Sequence, residues 1–438
     1  MRNVFALFFA AAILSSTGIS AQNWPNWRGP SQNGSTEASN LPVNFSKTEN
    51  IKWKVDMPGG SSATPAIWSD DVFVSSTNEK TEELHAICLD RESGKEKWRK
   101  SLGKGLFQDN RSNFSGPSPV TNGEVVIFFY GTGDMAALTP DGKILWQKNI
   151  QETYEPFYFL WTFSTSPILH NGNVVLQVLQ RDTPVHKFHK GGMQKSYIVA
   201  LDAKTGKETW KVTRESKAVK EAREAFSTPV IHTQKDGKEI MLIAGGDCLT
   251  GHDPSNGKEI WRWSTYNKER IPHWRLVPSA VAGDGVALIC APKKAPVYAI
   301  KLGGKGDLLP SDLAWISEDE MISSDVSTPA FYKGNFYILN SDKKSLSCLD
   351  PKSGKVHWTG EFETRSKFES SPTIADGKIY AINHLGELFV VEASPKEFKI
   401  LHQTNMGKGR DQRNRAAVAV ADGNLFIRTD DAVYCVGK

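Results

Sequence analysis

The residues best equipped for chemistry in this chain are Arg111 and Asn113, Tyr158 and Trp161, the run His273, Trp274 and Arg275, and then Asp325, Glu369, Arg413 and Arg415. A guanidinium is a planar fork of donors that matches carboxylate and phosphate oxygens. Aromatic faces stack on flat molecules. The two carboxylates either orient a ligand or neutralise the guanidiniums in structural ion pairs. The set therefore suits an anionic or planar ligand, or the acidic surface of a partner; it equally suits ion pairs that lock neighbouring elements together. No catalytic residue is assigned. The sequence holds no nucleophile elbow, no arguable Ser-His-Asp set and no phosphate loop between a strand and a helix. Gly303-Gly304-Lys305-Gly306 reads as a turn. His186 and His189, with His170 in the same unit, have no third ligand nearby in sequence, so no metal site is expected.

Position unites these scattered residues. Most stand a few residues before a recurring phrase of a small residue, Ser or Thr, Pro and a short apolar run. Its copies are Ala63-Thr64-Pro65, Pro117-Ser118-Pro119, Thr165-Ser166-Pro167, Ser227-Thr228-Pro229, Ser327-Thr328-Pro329 and Ser370-Ser371-Pro372. A second phrase alternates with it: Asp, two residues, a small polar residue, Gly, Lys, two residues, Trp. Clean copies end at Trp98, Trp210, Trp261 and Trp358, a shortened one at Trp146, and degraded ones at Trp53 and Trp315. The period is roughly 43–62 residues, the range of propellers and solenoids. Asp accepts backbone N–H groups in a tight turn, Gly supplies positive φ, and the Trp rides an outer strand against the adjacent sheet. Pro lacks an N–H and belongs at the first residue of a strand or at an edge.

Each unit divides into four short strands bounded by Gly, Asn and Asp clusters. Units begin near Ala63, Ser115, Ser164, Phe226, Val277, Val326, Glu369 and Ala416. The last has only three strands, at 418–420, 425–428 and 433–436. Its fourth is supplied by residues 51–55 with Trp53, which closes the ring and removes exposed edges. The predicted fold class is all-β: a single eight-bladed β-propeller of four-stranded blades, closed by an N-terminal strand. Its domain spans 51–438, preceded by an extended segment 22–50; the channel is either open or plugged by residues 22–47 of that segment. Insertions at 181–196 and 215–225 interrupt the third blade and precede the fourth; the second reads as a short surface helix. The loops before each innermost strand gather on one face, so the residues named at the outset converge on one channel mouth. The aromatic run Tyr154, Phe157, Tyr158, Phe159, Trp161, Phe163 could stack a ring or a sugar there, or simply pack a loop.

Composition narrows the partners. A formal charge of +4 over 438 residues gives nucleic-acid binding no support. Residues 1–21 read as a secretory signal peptide: Arg2, an apolar run over 4–14, then small residues up to Ala21. That run is short for a membrane span, and no later segment reads as transmembrane. The chain is expected to be exported, to the periplasm or beyond. The five cysteines recur in strand slots and read as buried thiols.

The Asp-x-x-Thr-Gly-x-x-x-Trp phrase resembles the repeat of the pyrroloquinoline quinone (PQQ)-type eight-bladed propellers. That superfamily includes quinoprotein alcohol dehydrogenases and the propeller lipoprotein of the outer-membrane β-barrel assembly machinery. Trp24-Pro25-Asn26-Trp27-Arg28-Gly29-Pro30, followed by Asn33-Gly34, resembles the opening of exported bacterial PQQ-like repeat proteins. The resemblance covers nearly the whole mature chain. It implies the propeller and a PQQ- and calcium-dependent oxidoreductase acting on alcohols or sugars as one function. The sequence departs from that pattern. No two cysteines are adjacent, whereas such dehydrogenases typically carry a vicinal disulfide over the cofactor. Their calcium ligands and catalytic Asp have no assigned counterpart, there is no haem-attachment motif, and the lipoprotein's lipidated Cys has none either. The reading carried forward is an exported binding or scaffold module. Its ligand or partner, a protein, small molecule or saccharide, sits at the channel mouth; a polysaccharide-associated lectin-like role is the other alternative.

Overall fold

In a computed structural model, residues 22–106, 109, 111–189, 191–264, 266–409 and 413–438 are described; the expected signal peptide lies outside them. Eight antiparallel sheets form a ring of blades. Blade 1 is built from Ala66–Trp68, Asp71–Thr77, Glu83–Asp90 and Glu96–Lys104, innermost strand first. Blades 2 to 7 repeat the meander. Blade 8 takes Ala419–Ala421, Asn424–Arg428 and Ala432–Val436 from the C-terminus and its outer strand, Ile51–Asp56, from the N-terminus. The expected closure is present, with Trp53 paired to Cys435.

The Asp–Gly–Lys–Trp phrase joins blades. Asp90, Asp202 and Asp350 each accept the N–H and hydroxyl of the residue three ahead, at 2.6–2.8 Å. That turn puts Gly94 at φ +71°, against the face of Trp53 from the preceding blade; a Cβ there would stand 2.7 Å from the indole. The indole N–H then donates to a carbonyl of the same turn: Trp53 to Arg91, Trp98 to Pro140, Trp146 to Ala203, Trp315 to Pro351 and Trp358 to Ser394, all at 2.7–2.9 Å. The degraded copies at Trp53 and Trp315 dock like the clean Trp98 and Trp358, whereas the indole N–H groups of the clean Trp210 and Trp261 find no acceptor among the described residues. In blade 7, His402 stands in the Trp slot, and Phe45 of the N-terminal segment covers it.

The Ser-Pro phrase does more than start a strand. Backbone N–H groups of Thr64, Ser118, Ser166, Thr228, Ser279, Thr328 and Ala417 each donate to the equivalent hydroxyl of the next blade, at 2.8–3.2 Å. This belt runs around the channel and breaks only between blades 7 and 8, where Ala417 has no hydroxyl to accept.

The N-terminal segment settles the question of the channel. Trp24 exchanges two backbone bonds with Ile67 of blade 1, and Pro25 accepts Thr121 N–H of blade 2. Gln32 accepts Ile231 N–H of blade 4. Asn33 and Gly34 carbonyls accept Phe331 and Ile374 of blades 6 and 7. Residues 24–36 therefore cross the ring and plug the channel from the turn side. Arg28, 2 % exposed, anchors the plug by donating to the carbonyls of Pro329 (2.7 Å) and Pro372 (3.0 Å). Beyond it, Leu41 and Phe45 pack on blades 7 and 8.

Two connections differ from a plain meander. In the insertion before blade 4, where a short surface helix is expected, one four-residue 3-10 turn forms, Lys220–Arg223; Ala222 N–H is drawn to Pro272 of the next connection. Blade 5's connection adds Gly306–Asp307 as a fifth strand, parallel to the outer strand of blade 4.

One buried acid in blade 4 gives a pH test. Asp247 is buried in a left-handed turn at φ +63°. Asn267 donates to one of its oxygens, and the other has no hydrogen bond among the described residues but faces the Arg270 guanidinium at 3.6 Å. Burial pushes its carboxyl up to about 6 from 3.8. The folded chain thus binds this proton more tightly than the unfolded chain, and Asp247 costs stability as pH rises from about 4 through 6. Asp247→Asn, which suits that backbone but gives up the Arg270 contact, is expected to raise stability at pH 7.5 by about 1–2 kcal/mol and to flatten the pH dependence between 4 and 6. Urea melts across that range check it.

Candidate functional site

The connections before the innermost strands surround a cavity of about 500 Å³ at the mouth of the channel. Trp27, carried by the plug, lines it from the closed side. Belt hydroxyls of Ser118, Ser166, Thr228 and Ser371 line its base. Six of the eleven residues singled out in the sequence line this cavity: Arg111, Trp161, Arg275, Asp325, Glu369 and Arg415. The repeat register places them, because each sits at or just before the start of its blade.

The other five do not line it. Asn113 donates to Gly60 O (2.6 Å) and accepts from the Ser115 hydroxyl (2.9 Å), holding two connections together. Tyr158 is buried and stacked on His189. Trp274 packs against the core of blades 4 and 5, His273 is exposed, and the backbone of Arg413 is held by Asp430 (2.8 Å).

Most charges at the mouth are paired. Arg275 lies 3.4 Å from Asp325 and 3.8 Å from Glu221. Lys293 adds a second cation 3.6 Å from Asp325. Glu369 collects Lys367 at 2.5 Å, Arg415 at 2.6 Å and the His384 ring at 2.9 Å. Burial alone would raise the carboxyls of Asp325 and Glu369. The surrounding cations win instead: Asp325 is held below its ordinary value and Glu369 far below. Both stay ionised, and both hold their guanidiniums in place.

The 105–114 connection ties the rim together. Asp109 accepts the Thr162 hydroxyl at 2.7 Å, Arg415 donates to Arg111 O, and the Arg111 guanidinium lies 5.2 Å over the Trp161 ring. Trp161 in turn donates to Glu221 at 3.0 Å. Six cationic and five acidic side chains line the cavity, which leaves a net positive mouth. Among the described residues, the cations Arg111 and Lys294 and the acids Asp109 and Asp342 form no ion pair there.

Sequence reasoning missed Asp109, Glu221, Lys293, Lys294 and Lys367. Glu221 comes from the 215–225 insertion and the lysine pair from a loop between second and third strands. The signal for the pair was its place between Pro292 and Pro296, where a strand cannot run.

Comparison with known proteins agrees with the fold. The chain belongs to the family described as outer membrane protein assembly factor BamB, whose profile matches residues 42–180, 88–360 and 311–429. Among solved structures it resembles a europium-containing methanol dehydrogenase (TM-score 0.67, 12% identity, covering 93% of this chain and 89% of that one). It also resembles the quinohemoprotein alcohol dehydrogenase from Comamonas testosteroni (0.63, 13%, 95% and 81%) and BamB from Moraxella catarrhalis (0.59, 11%, 89% and 99%). At such identities these likenesses speak for the fold alone. No curated protein sequence matches the chain. No helix among the described residues is long and apolar enough to cross a membrane.

Proposed function

We propose that this propeller is an exported binding or scaffold module whose blind channel mouth takes a compact, flat anion. The observation that supports it most is the pairing at the mouth. Glu221, Asp325 and Glu369 are spent on fixing Arg275, Lys293, Lys367 and Arg415, while Arg111 on its Trp161 platform and Lys294, beside Asp109 and Asp342 that form no ion pair among the described residues, remain to meet a ligand. A cavity of about 500 Å³ is of ordinary ligand size.

The quinoprotein likeness raises PQQ with calcium. The donor set does not fit the metal: Asp325 and Glu369 are each surrounded by cations, and no group of three or more His, Cys, Asp or Glu among the described residues could hold one. The cysteines are single and buried. PQQ without metal, a flat polyanion, does match Arg111, Lys294 and Trp161, and it serves as the probe. Fluorescence titration is expected to show PQQ quenching that does not require calcium. The Arg111→Ala/Lys294→Ala variant should bind at least about tenfold more weakly, since each hydrogen bond to a charged group contributes about 1.5–3 kcal/mol. Equal binding by the variant, or none by the wild type, overturns the reading. Calcium-dependent dye reduction with alcohols would favour the oxidoreductase instead.

A further inference from the structure

A second cavity, of about 570 Å³, opens between blades 2 and 3 and shares no lining residue with the mouth. Half of its described lining residues are phenylalanines: Phe114, Phe157, Phe159, Phe163 and Phe188. Phe157 and Phe159 meet Phe163 at centroid distances of 4.8 and 4.6 Å. Phe188, on the blade 3 insertion, is 61 % exposed and stands edge-on to His189 at 4.8 Å. Part of the aromatic run noted in the sequence backs this cavity: Phe157, Phe159 and Phe163 belong to the buried core of blades 2 and 3 behind it, while Trp161 lines the mouth.

The polar atoms of the cavity decide what it can hold. Gln151 donates to Thr132 O (2.7 Å), and its amide oxygen accepts Phe157 N–H (2.8 Å). The Thr132 hydroxyl donates to Asp134 (2.7 Å). His189 Nδ1 accepts the backbone N–H groups of Val185 and His186 at 3.1 and 3.2 Å, so the ring proton resides on Nε2. That N–H has no acceptor among the described residues. Burial, with His186 and Arg181 nearby, pushes His189 down to about 4, so the ring is neutral at pH 7. None of the described lining residues carries a charge.

We infer that this cavity is a second binding site, for a flat, uncharged aromatic molecule. An ion would find no counter-charge among the lining side chains. A sugar would bring a circle of hydroxyls to side-chain groups already bonded within the protein. A flat ring, by contrast, can lie against the exposed Phe188 ring above an apolar floor backed by Phe157, Phe159 and Phe163. A single acceptor on its edge, as in a phenol or an aryl ketone, is the most such walls would serve.

The test uses the mature full-length chain and 2-naphthol as probe, with binding followed by saturation-transfer NMR and calorimetry. Saturable binding to the wild type is expected. Phe188→Ala, an exposed position whose loss should leave the melting temperature unchanged, should weaken it about fivefold. Arg111→Ala, at the mouth, should leave it unaltered. Absence of naphthol binding overturns the inference. So does binding that ignores Phe188→Ala but falls with Arg111→Ala. Glucose or an oligosaccharide bound in a Phe188-dependent manner, with naphthol excluded, overturns the ligand class. Because the probe is neutral and the mouth variants are separate, failure here leaves the anion reading of the mouth untouched.

Discussion

Replacing Trp53 with alanine is expected to destabilise the entire ring by about 3–5 kcal/mol, the usual cost of emptying a large aromatic site. Trp53 is only 7 % exposed, belongs to the core shared by blades 7, 8 and 1, and lies on Gly94 of blade 1. It is the point where the last blade grips the first. Removing residues 50–57 goes further. The strand Ile51–Asp56 pairs along Ala432–Val436, so its loss bares that edge and turns a closed ring into an open stack. Because the blades share their cores in sequence around the ring, the loss should be felt globally, as a lower denaturant midpoint and increased aggregation. A truncated protein that melts at the wild-type temperature would sink this account of closure.

Arg28→Ala and Gly34→Ala are expected to release the plug. Arg28 holds two carbonyls from different blades, Pro329 and Pro372. Burial pushes its guanidinium down to about 9, a sign that its charge sits there at a cost only those bonds offset. Truncation strands both carbonyls, and with charged hydrogen bonds at about 1.5–3 kcal/mol each, a loss of about 3 kcal/mol or more follows locally. Gly34 is constrained twice. Its φ is +83°, and a Cβ would stand 1.9 Å from the Arg28 guanidinium, so alanine must expel the side chain that anchors the segment. Hydrogen exchange over residues 22–47 should rise in both variants while the blade strands keep their protection. Arg28→Lys, which keeps the charge but not the fork, should fall between. Wild-type exchange in both alanine variants would refute the plug as a discrete, Arg28-anchored unit.

The repeat made the fold legible because its residues act locally. Asp90, Gly94 and the turn they form are close in sequence, and the Trp follows at a constant offset. The belt was only half visible. Pro marked the strand starts, but that the Ser and Thr hydroxyls bridge blades depends on a spatial neighbour some fifty residues away. The plug was visible as a phrase and invisible as a structure, since Arg28 finds partners more than 300 residues later. At the mouth, register alone placed Arg111, Trp161, Arg275, Asp325, Glu369 and Arg415. It could not say which way a loop residue faces, so Tyr158 and His273, a few residues away from lining positions, point elsewhere. Glu221 and Lys293 reach the mouth from loops of irregular length, where register carries no information.

The plug also bears on traffic. With residues 24–36 seated across the turn side and Trp27 facing the mouth, the channel is a cul-de-sac. Whatever enters must turn back and leave by the same door. Arrival and departure then cross one barrier, formed by the connections around Arg111, Arg275 and Arg415. Substitutions that merely widen or narrow that door change both rates in the same sense and leave the equilibrium alone. Only residues that touch the occupant can separate the two.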